Sequence, residues 1–358
     1  MERESMELLP DARRGLMGTP EFAAQQSRTR IPTPPGRNVL WEPPRDMTHP
    51  LSAFQENFVL SACPLGTRIL SAHFHRQVRL PCPIWVRVIL PNGEEETLIL
   101  RMDYALHGVE HEAAVLPVLA RLGLPVPAIL AGPVFDPTQL EAGAMTILSV
   151  LPGRDLLGWT WDAPPADVEL ALRLVLEGVE RLHALTEALS REPVARQLVK
   201  KTLLSELQEV VTVGGPWFDE PVFRQAVEMF LPIVASIQTP LAFSSGDYNQ
   251  GNFLFDGREL TGFIDFTGAC FEDPHVGMAM YWIYSWYPLD RAGIVERYLE
   301  KQGLSFVGFA PRLAVRCLST LQQRIAVTGG EDVREEDDYE SHAEYRERIL
   351  NLLKRAVS

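Results

Sequence analysis

Residues 244–266 read Ser-Ser-Gly-Asp-Tyr-Asn-Gln-Gly-Asn-Phe-Leu-Phe-Asp-Gly-Arg-Glu-Leu-Thr-Gly-Phe-Ile-Asp-Phe. Two short apolar runs, Asn252–Phe255 and Leu260–Phe266, flank Asp256-Gly257. Such a dipeptide favours a tight hairpin, because glycine tolerates the positive φ the turn needs. A hairpin here folds back and brings Asn252 and Asp265 to neighbouring positions at its open end. A carboxamide oxygen beside a carboxylate suits a hard cation such as Mg²⁺, which takes oxygen ligands. Asp247 falls in the loop just before, where it can accept a proton from a hydroxyl whose oxygen attacks phosphorus. Asp and Asn are also turn formers, and for Asp247 and Asn252 that plain role stands beside the chemical one. Asp265 in an apolar strand is harder to dismiss, since a buried carboxylate needs a partner or a metal.

The surrounding chain bounds the possibilities. It has 358 residues, 46% hydrophobic and 22% charged, as expected of a globular chain of two domains or lobes. The net charge of −14 argues against a nucleic-acid binder, which needs a basic face. An acidic surface serves solubility first and attracts a cationic substrate second. Cys63, Cys82, Cys270 and Cys317 have no CxxC spacing and are too few for a disulfide framework, so a reducing, cytoplasmic setting is expected. The apolar stretch from His275 to Leu289 is too short to span a bilayer, and the charged N-terminus does not read as a signal peptide. The lysines are Lys200, Lys201, Lys301 and Lys354, and none completes a G-x-x-x-x-G-K-[ST] phosphate loop. No two glycines stand two apart, which removes G-x-G-x-x-G, and there is no G-x-S-x-G nucleophile elbow.

Three segments follow from composition and periodicity. Residues 1–50, rich in Pro, Arg and Glu, are expected to form a disordered leader, within which Met47 is an alternative start to Met1. Residues 51–151 are expected to form an N-terminal lobe. Strand-like runs at 84–90 and 96–102 flank Asn92-Gly93, a hairpin signal; a helix follows over 106–122, and then a strand over 144–151. Residues 152–358 change character at Pro152-Gly153 and predict a mainly helical lobe carrying the hairpin, with helices over 166–189 and around 195–212, 219–236, 275–300 and 310–326. The acidic run Glu331–Glu340 reads as a solvated helix face or loop.

Gly246-Asp247, Asn252, Ile264-Asp265-Phe266 and Asp273-Pro274 together resemble the aminoglycoside phosphotransferase and choline kinase-like family. Leu98–Arg101, Glu110–Val115, Gly123–Pro127, Leu148–Gly153 and Leu182-His183-Ala184 extend the resemblance over about residues 60–290. It implies an α+β, protein-kinase-like two-lobe fold: a small antiparallel-sheet lobe with one helix, and a larger, mainly helical lobe. It implies an ATP- and Mg²⁺-dependent phosphotransferase acting on a hydroxyl of a small, amino-containing metabolite or antibiotic. On that resemblance Asp247 is the catalytic base, Asn252 and Asp265 hold the metal, and Arg101, paired with Glu112, reaches the ATP phosphates. The backbone at Ser149, Val150 and Leu151 holds the adenine, and Ser245 and Asp273 support the site. Neither nucleic acid nor membrane is an expected partner, and oligomeric state is unreadable.

The sequence departs from that pattern at four places. Ser245 stands where the family usually has His, Arg101 where Lys is expected, and Gly277 where an acidic residue is frequent. No glycine lies between Gly66 and Gly93, so a stretch such as His73-Phe-His-Arg76 would have to cover the phosphates. These departures motivate an alternative, a catalytically degenerate kinase-like protein that binds nucleotide without turnover. A remote alternative comes from His107-Gly-Val-Glu-His111, which matches the H-x-x-E-H zinc-peptidase pattern, with Glu187 as a candidate third ligand. His183 reads as a packing histidine, and the aromatic run Tyr281–Tyr287 reads as core.

Overall fold

The structure, a computed structural model, describes residues 50–74, 83–103, 106–139, 143–160, 163–214, 220–328 and 342–358. It opens with helix α1 (Ala53–Ser61), which the sequence reading left out. Ser52 and Gln55 close a reciprocal capping box at its start, satisfying two N–H groups that the first turn leaves free. Strands β1 (Arg68–Phe74), β2 (Ile84–Ile89) and β3 (Glu95–Asp103) follow, then helix α2 (Leu106–Arg121) and strands β4 (Ile129–Phe135) and β5 (Ala144–Ser149). They form one antiparallel sheet in the order β1-β2-β3-β5-β4. The β2–β3 turn is the expected one: Gly93 has φ 87°, and the Leu90 N–H donates to Glu94 O at 2.8 Å. Alternate residues of β2 and β3, among them Ile84, Val86, Val88, Leu98, Leu100 and Met102, point to one buried face, which α1 covers with Phe58 and Val59. So the small lobe carries two helices where one was expected.

Helix α2 is shared between layers. Its stripe of Val115, Leu116 and Leu119 belongs to the large hydrophobic cluster of the second lobe, not to that of the sheet. Gly123 (φ 88°) ends α2, and the Leu124 N–H donates back to Leu119 O at 3.0 Å, as a left-handed cap requires.

The second lobe begins at Gly153 with β6 (Arg154–Asp155) and the short α3 (Leu156–Thr160). The long helix α4 (Pro165–Ala184) is centred on a stripe of Leu174, Val175, Val179 and Leu182. It is followed by α5 (Thr186–Ser190), β7 (Val199–Lys201), α6 (Leu203–Val213), α7 (Pro221–Ser236) and β8 (Ala242–Ser244). The expected hairpin is β9 (Phe253–Phe255) with β10 (Leu260–Phe263), joined on its β9 edge by β6. Strand β11 (Cys270–Glu272) lies between β7 and β8. Helices α8 (Met280–Ile283), α9 (Ile294–Gln302), α10 (Phe306–Thr328) and α11 (His342–Val357) complete the lobe.

Two expected helices are corrected. The segment around 195–212 starts as a 3₁₀ turn (Pro193–Arg196) and a strand before α6 begins. There Cys270–Glu272 offers a parallel edge to Val199–Lys201, a partner remote in sequence. The segment 275–300 breaks into a 3₁₀ turn (Val276–Ala279), α8 and α9. Ser285 at φ 49°, Pro288 and Gly293 at φ 79° interrupt it, so the aromatic run is only partly helical. The leader to residue 49, the stretch from His75 to Cys82 with Arg76, and the acidic run at 331–340 lie outside the described residues. No helix among the described residues is long and apolar enough to cross a membrane. Cys63, Cys270 and Cys317 are free thiols, and burial pushes the Cys270 thiol up to about 12.

Packing brings the hairpin to a defined place. Gly178 in α4 touches the Phe253 ring, where a Cβ would come 2.5 Å from its edge. On the other side Phe263 N–H donates to Pro125 O at 2.9 Å, and Thr261 Oγ1 donates to Pro152 O at 2.7 Å. The hairpin is therefore held between α4 below and the segments leaving α2 and β5 above.

Candidate active site

The loop entering the hairpin is shaped by its own polar side chains. Gly246, at φ 86°, turns the chain out of β8. A Cβ there would overlap the carbonyl of Gly268. Gly246→Ala combines a left-handed backbone with a backbone clash and should lower stability by about 2–3 kcal/mol, measured by urea unfolding. Beyond it Asp247 Oδ1 accepts the Asn249 N–H at 2.9 Å, and Asn249 Oδ1 accepts the Gly251 N–H at 2.7 Å. The turn-forming role weighed for Asp247 is therefore present. One carboxylate oxygen makes the turn, and that bond orients the other.

At the mouth of the hairpin Ile264 N–H donates to the backbone oxygen of Asn252 at 3.0 Å, so Asn252 and Asp265 do meet at the open end. Asn252 Nδ2 lies 3.4 Å from Asp247 O, which turns its Oδ1 away from that carbonyl. Asp265 differs from the expectation in one respect: it stands beyond the end of β10, at φ 62°. Aspartate tolerates this conformation better than most residues. The kink aims the Phe266 N–H at Glu112 Oε1, 3.0 Å away. Asp265 Oδ1 receives the Thr267 hydroxyl at 2.8 Å.

Arg101 comes from β3, and Glu112 sits on the apolar stripe of α2, 3% exposed. A carboxylate there needs a partner, and Arg101 Nε lies 3.5 Å from its Oε2. The same guanidinium reaches Asp265, with Nη2 3.3 Å from Oδ1. Burial works against the Arg101 charge, but Asp265, Glu112 and Asp103 together raise its pKa, so it stays protonated. Burial pushes the Glu112 carboxyl up, while Arg101 and the Phe266 N–H pull it back. The Asp247 carboxyl is pushed up to about 6, first by burial and then by the negative charge of Asp265. Two carboxylates that sense each other, one with a cation from the opposite lobe, make a place where an added positive charge is favoured.

The remaining expected residues fall as follows. Ser149 is committed to β4: its N–H donates to Ala128 O at 3.0 Å and its Oγ accepts the Ala128 N–H at 2.9 Å. Val150 and Leu151 follow it where β5 ends. Ser245 Oγ donates to Asp247 O at 3.0 Å. Asp273 is buried and held at both carboxylate oxygens by Arg312, at 3.0 and 2.9 Å. Its Oδ1 also accepts the His275 N–H at 2.9 Å. Arg312, Thr267 and the Phe266 N–H were missed. Arg312 is 39 residues from Asp273, and no local pattern marks it.

The zinc reading is overturned. His111 Nε2 lies on Ala269 O at 2.9 Å, Glu110 is an exposed residue of α2, and Glu187 is an exposed partner of Arg191. Among the described residues no group of three His, Cys, Asp or Glu side chains is arranged to hold a metal. Helix α2 turns His111 toward the segment after Asp265, and Glu187 stands in α5 beside Arg191.

Comparison with known proteins agrees with this geometry. The model of the phosphotransferase enzyme family (APH) matches residues 86–314. A thermostable mutant of aminoglycoside phosphotransferase APH(4)-Ia, in its apo form, superposes with a TM-score of 0.61 at 16% identity, covering 84% of this chain and 98% of that one. APH(2")-IIia in its complex with GDP and kanamycin gives 0.56 at 14% identity, covering 85% and 98%. LicA in complex with AMP gives 0.54 at 14% identity, covering 84% and 97%. No curated protein matches the chain. At these identities the structures share the fold, an antiparallel-sheet lobe on a helical lobe. The family match runs from within β2 to within α10 and takes in the whole cleft, so the chain belongs to the phosphotransferase enzyme family.

Proposed function

We propose that this protein transfers the γ-phosphoryl group of ATP to a hydroxyl of a small molecule. The observation that carries the reading is the meeting of Arg101, Asp265 and Asp247 across the cleft. Asp247 is the base: its carboxylate takes the proton of the acceptor hydroxyl as that oxygen attacks phosphorus. Arg101 is held charged by Glu112 and supplies the fixed cation for the phosphates. Ser149, Val150 and Leu151 lie where β5 passes into the second lobe, and their backbone would hold the adenine. The donor set fits Mg²⁺. The carboxylate of Asp265 and the Oδ1 of Asn252 are hard oxygens, and the former is 38% exposed at the cleft. The ion would neutralise charge on the phosphates. Solved relatives in the fold are complexes with ADP and hygromycin B or with GDP and kanamycin, which supports a nucleotide beside a small acceptor.

One observation favours nucleotide binding without turnover: Arg101 already sits on the carboxylate that the metal needs. Melting curves with and without Mg²⁺-ATP, run beside Asp265→Ala, separate the cases. A ligand at 100 times its Kd adds about 2.7 kcal/mol, or roughly 4–5 °C for a chain of this size. The expected result is a Mg²⁺-dependent shift that Asp265→Ala loses, followed by transfer in a screen of hydroxylated acceptors. A shift with no transfer to any acceptor supports the binding protein. No shift at millimolar Mg²⁺-ATP overturns both.

A further inference from the structure

The catalytic loop is locally well formed, but its own turns do not fix where it sits on the lobe. The bonds from Asp247 Oδ1 and Asn249 Oδ1 stay within the loop, as does that of Ser245 Oγ. Anchorage to distant elements comes through Gln250, whose Nε2 donates to Tyr287 O at 3.0 Å, and through Tyr248, whose side chain is buried at 2% exposure. Its hydroxyl lies 3.0 Å from Nε2 of His183 in α4, and the two rings meet edge to face with centroids 6.2 Å apart. Its carbonyl accepts the hydroxyl of Tyr281 in α8 at 2.8 Å. Its ring lies flush on Gly277, where a Cβ would come within 2.5 Å of Cε2 and 2.6 Å of Cδ2.

Three features that the proposed chemistry leaves over are thereby joined. Gly277 leaves room for the ring. His183 is more than a packing residue. Burial depresses its pKa to about 4, so near neutrality it is an uncharged imidazole bonded to a phenol. Tyr281, from the aromatic run, closes the other side of Tyr248. A buried tyrosine hydroxyl needs a partner, and α4 supplies it. The peptide that links Asp247 to Tyr248 is consequently held on a strut between two helices. Its carbonyl, Asp247 O, accepts from Ser245 Oγ and faces Asn252 Nδ2.

We propose that His183 is a positioning residue which, through Tyr248, sets the orientation of the Asp247 carboxylate, with Gly277 as the space that makes the contact possible. The proposal rests on Asp247 being the base. Displacing a reacting group by about 1 Å costs roughly a hundredfold in rate, which sets the scale of the effect.

The test uses the full chain with His183→Leu, His183→Gln, Tyr248→Phe, Gly277→Ala and the His183→Leu/Tyr248→Phe double variant. Glutamine can place an amide nitrogen near the position of His Nε2, so His183→Gln is the rescue. Two quantities are read. One is hydrogen exchange of the 245–252 amides, which needs no turnover. The other is Mg²⁺-ATP turnover, with water as acceptor until a better hydroxyl is found. Expected are about tenfold faster exchange confined to that loop and a 10- to 100-fold fall in kcat with KM for ATP within threefold. The double variant should be no worse than the poorer single one, and His183→Gln should recover most of both. Gly277→Ala should mimic the loss by pushing the ring away. Unchanged exchange and kcat with only a lowered melting temperature would overturn the proposal, as would strictly multiplicative losses in the double variant. If the wild type turns over no ATP, the functional reading fails, and the exchange data still decide whether His183 holds the loop.

Discussion

Asp247→Asn is expected to abolish phosphoryl transfer and, in the same protein, to raise the melting temperature at neutral pH. The loss of activity follows from the role of the carboxylate. A positioned general base contributes about 10²- to 10⁴-fold, and the amide cannot take the proton. The gain in stability follows from the shift. Burial and Asp265 raise the Asp247 carboxyl from 3.8 to about 6, so folding disfavours its charged form. A group whose folded pKa lies above its unfolded pKa contributes stability that is full below about pH 4 and is lost as pH rises through about 6. The wild type therefore carries the penalty at pH 7 to 8, whereas the neutral amide does not. Discounted for partial solvent access, the difference is about 1–2 kcal/mol, or roughly 2–3 °C. It should vanish below pH 4, which a series of melts against pH checks directly. In kcat/KM the same ionisation predicts an acid limb near pH 6 with a slope of one proton. A divalent cation beside Asp265 offsets the like charge and moves that limb to lower pH. Equal melting temperatures for the two proteins at pH 8 would contradict this account of the site.

Arg312→Met alone should cost about 3–5 kcal/mol, the largest stability effect expected of a single substitution here. Asp273 and Arg312 are 3% and 6% exposed and bonded at both carboxylate oxygens. Removing the guanidinium strands a buried carboxylate and also breaks bonds to Thr239 Oγ1 at 2.9 Å and Gly308 O at 2.7 Å. Asp273→Leu with Arg312→Met removes both charges, and its cost should be well below the sum of the two single variants. Urea unfolding of the four proteins checks the cycle. Asp273 follows β11, which pairs with β8 on the way into the catalytic loop. Loss of the pair should therefore weaken nucleotide-dependent stabilisation as well as the fold. A single-variant cost under 1 kcal/mol would show that the pair is hydrated and not a keystone of the lobe.

Much of this protein is written in short stretches of its chain. Asn92-Gly93 and Asp256-Gly257 specify their hairpins because φ above zero is needed at one position and glycine supplies it. The spacing of Leu174, Val175, Val179 and Leu182 specifies α4 because a helix buries every third or fourth residue. Asp247, Asn252 and Asp265 are near neighbours along the chain, joined by one hairpin, so local geometry alone brings them together. The elements that escaped sequence reading are α1, α3, β4 and α11 together with the short strands β6, β7, β8 and β11. A three-residue strand has too few positions for a period to show, and it forms only because a partner edge is present.

What the tertiary structure alone decided are the partners that lie far apart along the chain. Arg101 could be expected to meet Glu112, but its reach to Asp265 spans 164 residues and depends on how the two lobes close. Ser149 is tied through its N–H and hydroxyl to Ala128, 21 residues away. His111 and Glu187 looked like metal ligands until their helices faced different neighbours. Arg312 carried no signal and His183 read as a packing histidine, because a buried charge or a buried phenol states only that it needs a partner and not which one. Sequence determines the local conformations and the chemistry on offer. Packing determines which of those groups are left free to act, because each polar group drawn into the interior must first be satisfied by whatever the fold brings beside it.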